Sequence, residues 1–584
     1  MSHLRYDGRP PRPAADLAAR PEEHTLARAL SRWVLAHGGS AQLAELAART
    51  TLAELGGDTA LAPQEESLRD TLAAEPLVGD GRARTPFVLD ADGRFYFWRN
   101  FEHEREVAAL VAARLEAETP LPMAADELAA LFPGGDPARD GAQRAAVAAV
   151  GGRRLFVLTG GPGTGKTTTV LRMLLRLQRD GIAARDGIAV AAPTGKAAQR
   201  LVQSLRQESA RLRDALPADW AAHLDALPAG DALTVHRLLA WSPRRNAYLR
   251  GPGSPIAAGI VVVDEASMLD LHQLRALLRA LRPEATLVLV GDADQLDSVG
   301  AGSVLMDLVS VLEAAGSPAL ARLRHSFRAD SGLVRVNEAV RAGDTLALET
   351  ALAAAGDAAR LHPVEDAAAL SRRLRSWADG LAGDGPPPPL PADPAETAAA
   401  ALRALSARQL LCALRDGPFG AEAANAAIER RLRQRWDVPA GQDWYPGRVV
   451  MVARNDYGAR LFNGDLGLCL RGADGELQVW FESPEGGARA FAPAALPEHA
   501  PAFALTIHKS QGSEYAHAAV LLPPDPEHRI LSRQLLYTGL SRAKQGIEVW
   551  GPRASLEAAL VRAVRRSGGL VARLGEAWPV LPGA

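Results

Sequence analysis

The stretch that most limits how this chain can fold is RRLFVLTGGPGTGKTTTVLRMLLRLQ, residues 153–178. A short apolar run meets a glycine-rich turn, and an amphipathic pattern follows, so a strand, a loop and a helix are expected in that order. Within it, Gly160 to Thr167 match the pattern GxxxxGK[ST]. Glycines at these points let backbone N–H groups wrap a phosphate chain, and the helix adds the positive end of its dipole. Gly160, Gly161, Pro162, Gly163, Thr164 and Gly165 would therefore cradle the phosphates of a nucleoside triphosphate. Lys166 would reach the β and γ phosphates, and the Thr167 hydroxyl would bind Mg²⁺.

Such a loop serves many chemistries, so the discriminating residues lie downstream. In GIVVVDEASMLD, residues 259–270, Asp264 and Glu265 follow four β-forming residues, at the carboxyl edge of a buried parallel strand. Asp264 would hold Mg²⁺ and Glu265 would activate a water, which marks hydrolysis over transfer to a hydroxyl. A third strand, in TLVLVGDADQLDSVGAGS, ends at Asp292 and Gln295. A glutamine there is placed to sense a γ-phosphate. Any one acid after a strand is more often a helix cap. Three such strands in series argue for a nucleotide site in an α/β fold.

A chain of 584 residues is too long for one core, so about two to four domains are expected. The 47% hydrophobic content is ordinary, and 53 glycines with 40 prolines imply many loops. No run of about 18 apolar residues appears, so no membrane span is expected. The N-terminus lacks the apolar core of a secretory signal. Cys412 and Cys469 are too few for a disulfide framework or a zinc site and suit a reducing cytoplasm. A formal charge of −2 means that any nucleic-acid site is a local groove or is completed by a partner.

Residues 1–110 read as a separate segment: helical patterns, then TPFVLDADGRFYFW, a hairpin about an Asp-Gly turn. A first unit is expected over 111–360, a proline-rich, exposed boundary that is disordered or extended over 361–396, and a second unit over 397–584. Alternating apolar stretches such as GLCLRGADGELQVWFES suggest a small β-barrel inserted at about residues 460–502. SPRRNAYLRGPGSPI, residues 242–256, sits between a helix and the acid-bearing strand. No repeat of 20 to 50 residues is evident.

The segments GGPGTGKTTT, APTGKAAQRL, TVHRLL, VVVDEASMLD, LVGDADQLDSVGAGSVL, HSFR, TIHKSQGSEY and LLYTGLSRAK occur in the order of the superfamily-one DNA helicase motifs. Within that superfamily the chain resembles the RecD family, the 5′→3′ helicase subunits (α chains) of RecBCD exonuclease V complexes. QLLCALRDGPFG, VMVARNDYGARLFNGDLG and FYFWRNFEHEREVA add to the resemblance, which runs from about residue 95 to residue 550. It implies two RecA-like P-loop motor domains, a helical N-terminal domain docking on a RecC-like subunit, and a β-barrel insertion in the second motor. It also implies ATP and Mg²⁺, partners of the RecB and RecC kinds in a heterotrimer, and action on single-stranded DNA and duplex ends in recombinational repair. Gln143 resembles the glutamine that recognises adenine, while Arg328 and Arg542 resemble the two arginines that reach the γ-phosphate. Residues 242–256 look like the small pin that splits duplex in related helicases, or are an ordinary surface loop. A stand-alone RecD-like helicase, or an ATP-gated regulator of a nuclease, are the other readings.

Only four of the 66 basic residues are lysines: Lys166, Lys196, Lys509 and Lys544. Arginine is a planar fork and lysine a compact charge on a flexible stem, so surviving lysines mark places where a fork does not fit. Lys196 and Lys509 fall in the two motifs that resemble DNA-track contacts. Thr194 and Lys196 would donate to backbone phosphates, and His236 would add a polar or stacking contact; a capped helix start explains each place equally well. In TIHKSQGSEY, Thr506, His508 and Lys509 would face DNA, while Gly512 and Glu514 approach the ATP side. With few aromatics nearby, a track of phosphate contacts is expected. Lys544 reads as a solvated helix residue. Two places before the lysines stand Thr164, Thr194, Ile507 and Arg542, so no acid-x-Lys nuclease triplet is present.

Overall fold

The apolar runs that end beside Gly160, Asp264 and Asp292 become neighbours in one sheet. The computed structural model describes residues 21–182, 187–225, 227, 233–327, 331–405, 407–456, 458–483 and 486–579. Its first large sheet has six parallel strands, in the order Leu320–Leu323, Leu155–Gly160, Thr286–Gly291, Ile260–Val263, Ile188–Ala192, Leu233–Thr234. Strand side chains alternate between faces, so each face of Leu155–Gly160 feeds its own core. Leu155 and Val157 pack with Leu274, Leu277 and Leu308. Phe156 and Leu158 pack with Val170, Leu174 and Leu201 on the helices Lys166–Arg179 and Gly195–Arg213.

A second parallel sheet has five strands, in the order Ala359–His362, Ala543–Trp550, Tyr515–Leu521, Arg408–Cys412, Ala504–Thr506. Its core already includes Leu333, Val336 and Val340, on the helix Ser331–Ala342. The second unit therefore starts ahead of the proline-rich stretch and not at 397, and the expected first unit ends too late. Strand Ala359–His362 settles this, because its backbone partner is Ala543–Trp550. The proline-rich stretch is extended yet docked: Leu390 is buried, and its N–H donates to the Arg471 carbonyl at 2.8 Å.

Between two strands of this sheet lies an antiparallel one, in the order Ala488–Phe491, Leu477–Glu482, Leu466–Arg471, Val449–Val452, His499–Pro501. It begins at Val449, earlier than residue 460, because Val449–Val452 pairs with Leu466–Leu468 and not with either parallel sheet. At the N-terminal end, the helices Pro21–Ala36, Ala41–Leu55 and Glu66–Ala73 pack on a four-stranded sheet. Its centre is the expected hairpin, with Leu89 opposite Phe95 and Gly93 at φ 82° in the turn. Helix Trp98–Glu116 carries this segment past the expected boundary at 110, and its Val107, Val111 and Leu115 lie in the core of the first parallel unit. The last described helix, Leu570–Ala577, returns to the same core through Leu570 and Leu574. Among the described residues no helix is long and apolar enough to cross a membrane.

Candidate functional site

The two parallel units meet at a cleft of about 430 Å³, floored by the glycine-rich loop. Gly163 and Gly165 sit at φ 75° and 81°, a region that side-chain-bearing residues avoid. A Cβ on Gly165 would lie 2.2 Å from Gln143 Nε2. Gln143 is buried, and its Nε2 donates to the Thr164 carbonyl at 3.1 Å, so its amide braces the loop from the expected adenine side. Gly160 and Gly161 turn their carbonyls to Lys166, whose Nζ donates to them at 2.7 and 3.0 Å. Pro162 and Thr167 line the cleft with Lys166, and Thr164 Oγ1 closes the loop by donating to the Gly161 carbonyl at 2.8 Å.

Asp264 ends the strand Ile260–Val263, and its N–H donates to the Ala191 carbonyl of the next strand. Burial pushes its carboxyl up to about 6; Glu265 adds to the rise, and Lys166 and Arg200 oppose it. Glu265 itself stands at φ 51°, uncommon for a residue with a side chain. This kink, braced by Glu265 N–H donating to Asp264 Oδ1 at 2.9 Å, puts both acids in the cleft wall. Asp292 is 2% exposed and its Oδ2 accepts from Gln295 Nε2 at 2.9 Å. Gln295 Oε1 is buried and has no protein partner.

The second unit supplies the opposite wall. Arg542 lines the cleft in the turn after the helix Arg533–Leu540, 3% exposed, with Nε donating to the Thr538 carbonyl at 3.1 Å. Gly512, at φ 71°, lies against Glu265: a Cβ there would be 3.8 Å from Glu265 Oε1. Glu514 accepts Lys544 Nζ at 3.0 Å and Arg200 Nη2 at 3.5 Å, and Arg200 Nη1 also donates to the Gly512 carbonyl. Lys544 is therefore exposed, as expected, but stands on a strand and not a helix, and it has an acid partner. Arg328 lies outside the described residues.

Sequence reasoning missed Arg200 and Tyr537. The Tyr537 hydroxyl crosses from the second unit to donate to Asp292 Oδ2 at 3.1 Å, and Leu296 N–H returns the tie by donating to Thr538 Oγ1 at 2.9 Å. Tyr537 stood in the LLYTGLSRAK motif, but nothing in its spacing points to a carboxylate 245 residues away.

The residues assigned to DNA do not all line one groove. Thr194 caps the helix Gly195–Arg213, its Oγ1 accepting from Ala197 N–H at 3.2 Å, which is the cap alternative. Lys196 Nζ donates to the Gly464 carbonyl of the inserted sheet's segment at 3.3 Å, and burial lowers its pKa against the pull of Asp465. Lys196 and His236 line a groove of about 1210 Å³, in which the His236 ring meets Trp241 edge-on at 6.0 Å. Thr506, His508 and Lys509 lie outside that groove's lining. Thr506 Oγ1 accepts from Lys509 N–H at 3.3 Å. His508 is partly buried, which lowers its pKa, as does Arg566; the Lys509 side chain is exposed.

Residues 143–301 match a family described as an AAA domain, and residues 501–547 match the UvrD-like helicase C-terminal domain. Over 516 residues the chain is 38% identical to the RecBCD enzyme subunit RecD of Mycobacterium tuberculosis, covering 86% of this chain and 83% of that protein. The RecBCD enzyme subunit RecD of Haemophilus influenzae is 33% identical over 524 residues, covering 82% and 80% respectively. The ATP-dependent RecD2 DNA helicase of Deinococcus radiodurans is 28% identical over 457 residues, covering 78% of this chain but 54% of that protein.

Proposed function

The chain belongs to the RecD family of RecBCD helicase subunits, and from that premise we propose that its inter-domain cleft is the ATPase site of a 5′→3′ DNA motor. The chain is an ATP-dependent DNA helicase subunit of the RecBCD type. One observation carries the site assignment: Lys166, Glu265 and Gln295 of one parallel unit and Arg542 of the other line a single cleft.

In this reading Gln143 and the loop Gly160–Thr167 hold ATP, and Lys166 leaves its two loop carbonyls for the β and γ phosphates. Glu265 takes a proton from the attacking water. Gln295 Oε1, buried without a protein partner, accepts from that water and orients it, while the amide Nε2 is the atom that would sense the γ-phosphate. Arg542, with Arg328 as its second, meets charge developing on the phosphoryl group, a contribution of roughly 10³- to 10⁵-fold in rate. The donor set suits Mg²⁺, which takes one or two carboxylates and shares the rest of its shell with phosphates and water. Asp264 and the Thr167 hydroxyl would hold it, and it would neutralise charge on the β and γ oxygens.

Movement along single-stranded DNA then follows from opening and closing of the cleft. The DNA-facing roles of Thr194, Lys196, His236, Thr506, His508 and Lys509 belong to this proposal. So do the N-terminal segment as the dock for a RecC-like subunit, the antiparallel insertion as a small barrel, and residues 242–256 as a pin. Any nuclease activity of the complex falls to another subunit, since no lysine here follows an acid at the triplet spacing. The test is Lys166→Gln in the complex with co-expressed partners, assayed on 5′- and 3′-tailed duplexes. Loss of ATP turnover and of this chain's 5′→3′ unwinding with assembly intact is expected. DNA-stimulated turnover attributable to this chain in that variant would refute the site.

A further inference from the structure

After the helix Arg553–Val561 the chain leaves the second motor and turns back onto the first. Arg562 is still held by the second motor, with Nη1 donating to the His528 carbonyl at 2.9 Å. Val564 exchanges hydrogen bonds with Gln534, at 2.9 and 3.1 Å, on the helix that also carries Tyr537. Two residues later Arg566 is already engaged with the first motor. Its Nη1 donates to the carbonyls of Gly300 and Gly302 at 2.5 and 3.0 Å, its Nη2 donates to the Ser298 carbonyl, and its Nε faces Asp297 Oδ2 at 3.9 Å. Space for the guanidinium is made by Gly57, at φ 97°, where a Cβ would lie 2.5 Å from the Arg566 Cζ.

Those carbonyls belong to the loop 296–303, which starts immediately after Gln295. Its first residue is tied to the second motor twice: Leu296 N–H donates to Thr538 Oγ1, and its carbonyl accepts from Gln511 Nε2 at 3.3 Å. Its far end is tied to the N-terminal segment, Gly302 N–H donating to the Gly57 carbonyl at 2.9 Å. Carbonyls that converge on one point repel unless a donor satisfies them together, and only a forked, permanently charged guanidinium offers several N–H groups in that geometry. Without it, the Ser298 carbonyl would lose its donor and the Gly300 and Gly302 carbonyls would share the single proton of Ser298 Oγ, at 3.0 and 3.3 Å, so the loop would refold.

We propose that Arg566 is a positioning residue of the ATPase: it holds the loop 296–303 in the curl that keeps Gln295 aimed into the cleft and joined to the second motor. Relative movement of the motors is then transmitted to the glutamine through a loop whose far end is fixed. This rests on the reading of Gln295 as part of the nucleotide site.

The test compares wild type, Arg566→Ala and Arg566→Lys in the assembled complex, with ATP turnover measured against ATP and against single-stranded DNA in a background whose partner ATPase is silenced. Arg566→Ala should lower the DNA-stimulated kcat by at least about fivefold. KM for ATP should stay within about twofold, because the loop that binds phosphate is untouched. Arg566→Lys keeps the charge but not the fork, and should recover only part of the loss at unchanged KM. Wild-type turnover in Arg566→Lys overturns the proposal, even if Arg566→Ala fails to fold. So does a fall in kcat matched by an equal rise in KM. If wild type itself shows no DNA-stimulated turnover, the ATPase reading fails and takes this inference with it; if wild type is stimulated, a negative result concerns Arg566 alone.

Discussion

Replacing Tyr537 by phenylalanine removes one oxygen from the seam between the motors and leaves the ring in place. The hydroxyl donates to Asp292 Oδ2 at 3.1 Å, and both residues are buried. Burial, with Asp292 beside it, holds the phenol well above its ordinary pKa, so it remains a protonated donor at any working pH. A hydrogen bond to a charged group contributes about 1.5–3 kcal/mol. Asp292 keeps Gln295 Nε2 at 2.9 Å and Asp294 N–H at 3.1 Å, so the carboxylate is not stranded and the loss falls on the inter-motor tie. That energy corresponds to roughly a 10- to 150-fold shift from closed to open cleft. Hydrogen exchange at Leu296, whose amide bonds Thr538 across the same seam, should accelerate by at least about tenfold, and DNA-stimulated turnover should fall. Exchange and turnover within about twofold of wild type would show that the phenol does not hold the seam.

Burial, then Asp297 and Glu104, push the Asp307 carboxyl up to about 7, against the opposing pull of Arg566. The folded state therefore binds this proton more tightly than the unfolded chain does, so the group's contribution to stability is complete below its unfolded pKa and is lost as pH rises through about 7. Thermal denaturation across that window should slope downward with pH in wild type and more gently in Asp307→Asn; parallel slopes would dismiss this role. Lys509→Ala should weaken DNA binding across sequences and reduce the salt slope by about one, read from titrations at several salt concentrations. An unchanged slope removes Lys509 from the track.

The convergence of the proposed nucleotide residues on one cleft was legible because it is local. Lys166, Asp264 and Gln295 each follow a strand in one sheet, and strand ends at a common edge meet whatever lies between them. Contacts that cross between the motors have no such signature: Arg200 meets Gly512, and Tyr537 meets Asp292, only because two sheets dock. Thr194 shows the opposite case, since one hydroxyl serves a helix cap and a DNA contact equally well on paper: here its oxygen caps, and its proton is still available to a phosphate. Lys166 folds onto two loop carbonyls, Lys196 reaches a carbonyl of the inserted segment and Lys544 an acid, so contacts within the chain do not by themselves explain why lysine stands at each place. Domain limits slipped where composition misled: proline-rich residues looked like a spacer, yet strand pairing of Ala359–His362 places the boundary before them.

The burial of Leu570 and Leu574 in the core of the first motor also bears on how the molecule is made. Chains emerge from the ribosome N-terminus first, and domains generally fold in that order as they appear. Here the first motor lacks the packing helix Leu570–Ala577, and the Glu104 carboxylate lacks Arg573 and the Gly569 N–H, until the whole second motor has been translated. A message truncated ahead of Leu570 would thus damage the motor that is synthesised first, and an incomplete product would expose that motor's core to quality control.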